Sequence, residues 1–307
     1  MRQPLRRLIC ALVLGILLPV AESAAQTPAA MRTRYLTSLT NVEINSYLER
    51  NDLIFIPVGT VQAHGVLPVD AEYVAAQALA LKMADITDGL VLPHMQFTYP
   101  GAGTIGRGTV EVSPSEGLPY LKAIARSLLR QGFKRQIYVT SHNAAAAQTV
   151  SPLVLELFYE TKIPLLYLDG DILLTQTKAD FTKVLFGAYD IVGRLEDIPT
   201  NFTPEIPALQ PSEPLRKLQS LGSSVGARDG TIGFFRTEDR EGPTGRAVTA
   251  EQRAAWAKEG SDMIDAALKA ADIRKISDAL RDHQRFTREY LIPKFGDLLP
   301  SGRGQRF

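Results

Sequence analysis

A chain of 307 residues with 45% hydrophobic content can bury a full core, and a formal charge of +1 gives no electrostatic reason to bind nucleic acid or an anionic membrane. Its single cysteine, Cys10, lies within the first apolar run, so a disulfide framework or thiolate catalysis is excluded for the rest of the chain.

Residues 1–25 read as a signal peptide. Arg2, Arg6 and Arg7 precede the apolar run Leu8 to Val20, which is too short to span a bilayer comfortably, and Ser23, Ala24 and Ala25 offer small residues before a cut at Gln26. Removing this segment takes the formal charge to about −1 and implies an exported protein, periplasmic or secreted, with no stable membrane insertion afterwards. Residues 26–34 read as a flexible leader, 35–295 as one domain and 296–307 as a flexible tail.

Thr40 or Asn41 starts a helix to about Asn51, with Val42, Ile44 and Leu48 on its apolar side. The run Leu53 to Val58 is short and rich in branched residues, as a buried strand should be, and it breaks at Gly59 into a loop carrying Gln62 and His64. Glu72 opens a helix to about Ile86, where a first-turn carboxylate also suits the helix dipole. Leu90 to Leu92 is the next strand.

Tyr99 to Gly108, with four glycines and a proline, is a loop. Within it, Gly101-Ala102-Gly103-Thr104-Ile105-Gly106 matches the dinucleotide fingerprint. That fingerprint must open a helix, however, and Thr109 to Val112 reads as extended, so a substrate loop is the expectation.

Ser113, Pro114 and Glu116 supply an N-cap, a first-position proline and a capping box for a helix to about Gln131, ended by Gly132; Leu118, Leu121, Ile124, Ala125 and Leu128 form its inward face. Gln136 to Thr140 is a strand leading to His142. A helix to Tyr159, a strand from Pro164 to Leu168 and a helix to about Phe186 follow, with Asp169 and Asp171 explained by a turn and an N-cap. Residues 187–247 read as irregular. Thr249 and Gln252 box a helix to about Ala271, with Ala255, Ile264 and Ala267 inward, and an amphipathic segment runs from Ile273 to Tyr290. Alternating strands and helices predict an α/β fold with a mainly parallel central sheet.

Four histidines follow the signal segment. His283 lies in a charged helix and reads as a surface residue, and His94 after Pro93 as structural. His64 and His142 each follow a buried strand at the same sheet edge, where Glu72 also lies. Two imidazoles and a carboxylate suffice for a catalytic zinc with an open position, although strand-end histidines can equally cap loops.

The segment Gly59-Thr60-Val61-Gln62-Ala63-His64-Gly65 with Leu67 and Pro68 resembles the creatininase (creatinine amidohydrolase) family signature, a Gly-Ser-x-Glu-Gln-His-Gly run followed by His-Leu-Pro and an Asp. Gly132-Phe133 and Tyr138 to Asn143 resemble the family's later strand and histidine turn, and Gly242 to Gly245 with Val248 to Glu251 its late segment. The resemblance implies a three-layer α/β/α fold, commonly oligomeric, and hydrolysis of a linear or cyclic amide C–N bond with divalent zinc or manganese. Carried over by position, His64, Glu72 and His142 are the metal ligands, and a metal-activated water attacks a small-molecule amide. Gln62 stands at the family's first glutamate ligand, Ala144 at another, and Arg194 within Ile191 to Asp197 where a further ligand run is expected. These changes favour one ion over two and make Gln62 a hydrogen-bonding catalytic residue. They also raise the alternative of a metal-depleted member of this fold that binds a small molecule or assembles without catalysis.

Overall fold

The computed structural model describes residues 31–64, 67–100, 108–141, 146–200, 217 and 248–299. The signal segment, the glycine fingerprint, His142, Ala144 and the run Gly242 to Gly245 lie outside these residues. From Thr33 onward the described elements belong to one unit. Among them, no helix is long and apolar enough to cross a membrane.

Four parallel strands form the sheet in the order β2-β1-β3-β4, with β1 at Leu53–Val58, β2 at Leu90–Val91, β3 at Arg135–Thr140 and β4 at Leu166–Asp169. Both central strands are buried along their whole length, because an all-parallel sheet is covered on its two faces. Side chains alternate accordingly. Leu53, Phe55, Ile137 and Val139 join the core that includes α2 (Ala71–Thr87), α6 (Phe181–Ile191), α7 (Ala250–Ala271) and α8 (Ile273–Phe286). Gln136, just before Ile137, points the other way and donates from Nε2 to the carbonyls of Ala125, in α3 (Pro114–Gln131), and Phe133, and helix α4 (Ser151–Thr161) lies between β3 and β4 in the chain.

Local sequence chemistry accounts for the boundaries. Capping boxes close α1 (Asn41–Leu48) at Thr40 and Glu43, α3 at Ser113 and Glu116, and α7 at Thr249 and Gln252. Gly132 ends α3 with φ at +110°, a conformation glycine adopts without steric cost.

The structure corrects four details. On α1 it is Tyr47 that is buried, its hydroxyl donating to the Leu53 carbonyl at 2.5 Å, while Val42 is 77% exposed. The helix expected to run from Asp171 to Phe186 is two, α5 (Gly170–Gln176) and α6, because Lys178 takes a φ of +56° and Asp180 restarts the chain by accepting from Thr182 N–H and Lys183 N–H. Helix α6 therefore continues to Ile191, into the region read as irregular. On α7 the buried small residue is Ala257, whereas Ala255 is exposed.

Candidate functional site at the carboxyl edge of the sheet

Three neighbouring strands end level with one another: Val58 pairs with Thr140, and Thr140 with Asp169. Past that line β1 leads to Gln62 and His64, β3 to His142 and β4 to Asp171. Ligands of open α/β sheets bind outside the carboxyl ends of the strands.

The exit from β1 is fastened on several sides. Gly59 N–H donates to the Met95 carbonyl at 3.1 Å, Val110 N–H to Val61 at 2.9 Å, Gln62 N–H to Val69 at 2.8 Å and Ala63 N–H to Thr109 Oγ1 at 2.9 Å. Val61 and Val110 form an antiparallel bridge, and helix α3 begins only at Pro114. Residues 109–113 are therefore not the helix that a dinucleotide fingerprint requires.

At Gly59 an added Cβ would stand 2.5 Å from Tyr73 Cα, so only glycine lets the strand exit lie against the first turn of α2. That approach brings Glu72 beside Thr60, whose Oγ1 donates to Glu72 Oε2 at 3.2 Å, while Ser141 Oγ donates to the Glu72 backbone carbonyl at 2.6 Å. Glu72 is 7% exposed, and Gln62 and His64 are each 2% exposed. A carboxylate buried this deeply must have polar or charged partners.

Asp70, just before α2, makes no cap with its side chain. It accepts instead from Tyr189 Oη at 2.8 Å and from Arg194 Nη1 at 2.7 Å, and Arg194 Nε donates to Asp197 at 2.6 Å. Burial works against the Arg194 charge, but the bonds to Asp70 and Asp197 outweigh it and raise the guanidinium pKa above its ordinary value. Arg194, standing where the resemblance expects a ligand, is thus a latch holding α6 to the start of the helix that carries Glu72.

At the end of β4, Asp169 is the cap anticipated for it, accepting from Asp171 N–H at 3.0 Å and Ile172 N–H at 3.3 Å. Asp171 is not used in that way. A Cβ on Gly170 would meet the Thr140 carbonyl at 2.4 Å and Leu79 Cδ1 at 2.7 Å, so this turn is pressed between β3 and α2. Asp171 Oδ1 is buried there with no hydrogen-bond partner among the described residues, and Gln62 Oε1 is likewise buried and unpartnered among them. Burial first, then the charges of Asp169 and Glu72, push the Asp171 carboxyl up to about 7. Sequence reasoning set Asp171 aside because a first-turn acid looks alike whether it faces water or another carboxylate. The available signal was its position two residues beyond the line at which the strands end.

Of the predicted ligands, His64 and Glu72 are brought to the same buried edge. Among the described residues, no three His, Cys, Asp or Glu side chains are grouped so as to hold a metal ion. An imidazole and a carboxylate here are donors of the kind that suit zinc or manganese. His94 is exposed and serves through its backbone, donating from N–H to Tyr73 Oη at 2.5 Å; His283 is on the surface.

Fold and site together define an α/β protein with a histidine and carboxylate site at the carboxyl edge of a parallel sheet. Residues 37–184, a little under half of the chain, match the family model for creatininase, creatinine amidohydrolase. A solved putative creatinine amidohydrolase from Bacteroides fragilis shares the fold with a TM-score of 0.54 at 15% identity, covering 80% of this chain and 98% of that one. A solved type II creatininase bearing a single tryptophan-to-phenylalanine substitution gives a TM-score of 0.51 at 17% identity, covering 82% and 99%. A curated relative from Thermotoga maritima, 3-dehydro-scyllo-inosose hydrolase, is 29% identical over 110 residues; the match spans 35% of this chain and 35% of the length of that relative.

Proposed function

We propose that this chain is an exported hydrolase that acts on the C–N bond of a small linear or cyclic amide and depends on one zinc or manganese ion held by His64, Glu72 and His142. The observation that carries this reading is the placement of Glu72. Its carboxylate is buried beside the strand exit that supplies His64 and is oriented by Thr60, in a domain matching the creatininase family.

A divalent ion bound there would polarise the substrate carbonyl and make water a nucleophile near neutral pH. The chain's own residues supply the rest. Thr60 and Ser141 fix Glu72 by its carboxylate and its carbonyl. The fastened peptide 59–63 keeps Gln62 and His64 from swinging out, and Gln62 Oε1 is an acceptor ready for a substrate N–H. One ion is favoured over two because Gln62 is neutral and Arg194 is already bonded to Asp70 and Asp197.

The test is turnover of a panel containing creatinine, hydantoin, linear formamides and 3-dehydro-scyllo-inosose, by protein reconstituted with zinc or manganese and by protein treated with chelator. Metal-dependent release of an amine or ring-opened product from an amide supports the proposal. Turnover of the inosose alone would reassign the bond cleaved. Loss of all turnover, together with retained binding of a panel compound, would favour the non-catalytic alternative that the neutral Gln62 suggests.

A further inference from the structure

We infer that the outer face of the helical segment ending the described chain, centred on Phe286, Tyr290, Phe295 and Leu298, is where this chain pairs with a second copy of itself. The inference stands apart from the proposed hydrolytic function, and its residues lie beyond the 37–184 stretch that matches the family model.

The segment has two faces with different fates. Inward, Ile273, Ser277 and Leu280 of α8 are buried, as is Thr287 just after it. Ser277 Oγ accepts from Arg135 Nη1 at 3.1 Å, and Gln284 Nε2 donates to the carbonyls of Lys134 at 2.9 Å and Pro164 at 2.7 Å. That side is committed to the domain. Outward, a π-helical turn at Thr287–Leu291 and a short helix at Ile292–Phe295 continue the surface begun by Phe286. Phe286 stacks on Tyr290 with ring centres 5.1 Å apart, and Tyr290 meets Phe295 edge-on at 6.4 Å. Lys294 braces the last two, its Nζ 5.1 Å from the Tyr290 centre and 5.2 Å from the Phe295 centre, and donates to Tyr290 Oη at 2.9 Å.

The three rings are therefore one continuous patch, yet they are 37–49% exposed, and Leu298, three residues on, is 80% exposed. Stiff aromatic side chains that already brace one another lose little freedom on docking, which is why such residues carry interface cores.

Area and charge say what covers the patch. An aromatic side chain carries about 150–250 Å², so the exposed parts of the rings and Leu298 come to on the order of 400 Å². That is about half of the ~800 Å² that each partner contributes to a stable interface, and the charged side chains around it complete a polar rim. Between Arg281 and Leu298 four cations and three carboxylates are interspersed. Arg285 with Asp282 and Arg288 with Glu289 form exposed pairs at 2.8 Å and 2.7 Å. An anionic bilayer would meet nearly as much like charge as opposite charge here. A second copy turned about a two-fold axis presents the same mixed row reversed, so arginines of each copy can face carboxylates of the other around a shared aromatic centre.

Sedimentation velocity of the full chain between about 1 and 100 μM is the test. The parent should sediment as two chains or an even multiple, and Tyr290→Glu should weaken that association at least tenfold with its far-UV circular dichroism unchanged. Leu298→Asp, at the most exposed position of the patch, stands in if Tyr290→Glu fails to fold. A parent that stays a single chain at about 100 μM overturns the inference, as does a folded variant whose association is weakened less than tenfold. So does a single-chain parent that floats with phosphatidylglycerol vesicles, which would assign the patch to lipid, or one that associates only after residues 300–307 are removed, which would assign it to the chain's own end.

Discussion

The two ends of the same sheet treat polar groups in opposite ways. At the amino end, buried Arg135 on β3 donates to Asp52 at 2.5 Å, to Asn51 and to Ser277 Oγ at 3.1 Å, while Arg34 and Arg50 both pair with Asp88 beside the start of β2. At the carboxyl end, Gln62 and Asp171 each keep a buried oxygen without a hydrogen-bond partner among the described residues, and the Glu72 charge acts on Asp171. A buried polar group that is fully bonded holds a fold together, whereas one left short of a bond is a cost that a ligand can offset. The amino end satisfies its buried polar groups within the fold, and the carboxyl end does so only in part among the described residues.

Removing the bonded cation at the amino end and removing the Asp171 charge at the carboxyl end should therefore move stability in opposite directions. The largest effect is expected at Arg135, whose side chain is 4% exposed; Arg135→Ala strips Asp52 and Ser277 of their donor and should cost about 3–5 kcal/mol in urea unfolding. A loss under about 1 kcal/mol would erase the distinction. Next comes Asp171→Asn, with the sign reversed. A folded carboxyl at about 7 against an ordinary 3.8 means that the folded state retains a proton the unfolded chain has released, so stability falls as pH rises between these values. The asparagine variant should exceed the parent by about 2 kcal/mol at pH 8 and by much less at pH 4. Equal gains at both pH values would place the effect in packing instead of charge. The smallest change is expected for the latch: Arg194 is 39% exposed, so Arg194→Ala should cost about 1 kcal/mol. Its sharper readout is metal affinity, which should weaken if the latch positions the first turn of α2 and stay constant if it serves stability alone.

How legible each end was in the sequence follows from the range of its contacts. Branched strand runs and the boxes at Thr40, Ser113 and Thr249 are local signals, and they located the strands and the starts of three helices. The burial of His64 and Glu72 was foreshadowed by a strand that breaks at glycine and leads into a helix. The contact made by Arg194 was not legible because its partner Asp70 lies 124 positions away, and no local pattern announces such a pair. Asp171 was passed over because its neighbour Asp169 satisfies the same turn. The second helix after β4 did carry a signal, Asp180 ahead of Phe181, but the apolar periodicity running through it masked the break.

The most direct test of the carboxyl-end site is metal content after equilibrium dialysis against zinc or manganese, comparing the parent with Glu72→Gln and His64→Ala. About one ion per parent chain, with affinity at least tenfold weaker in both variants, is the expected result. Less than a tenth of an ion per parent chain, or variants that bind as the parent does, would contradict it.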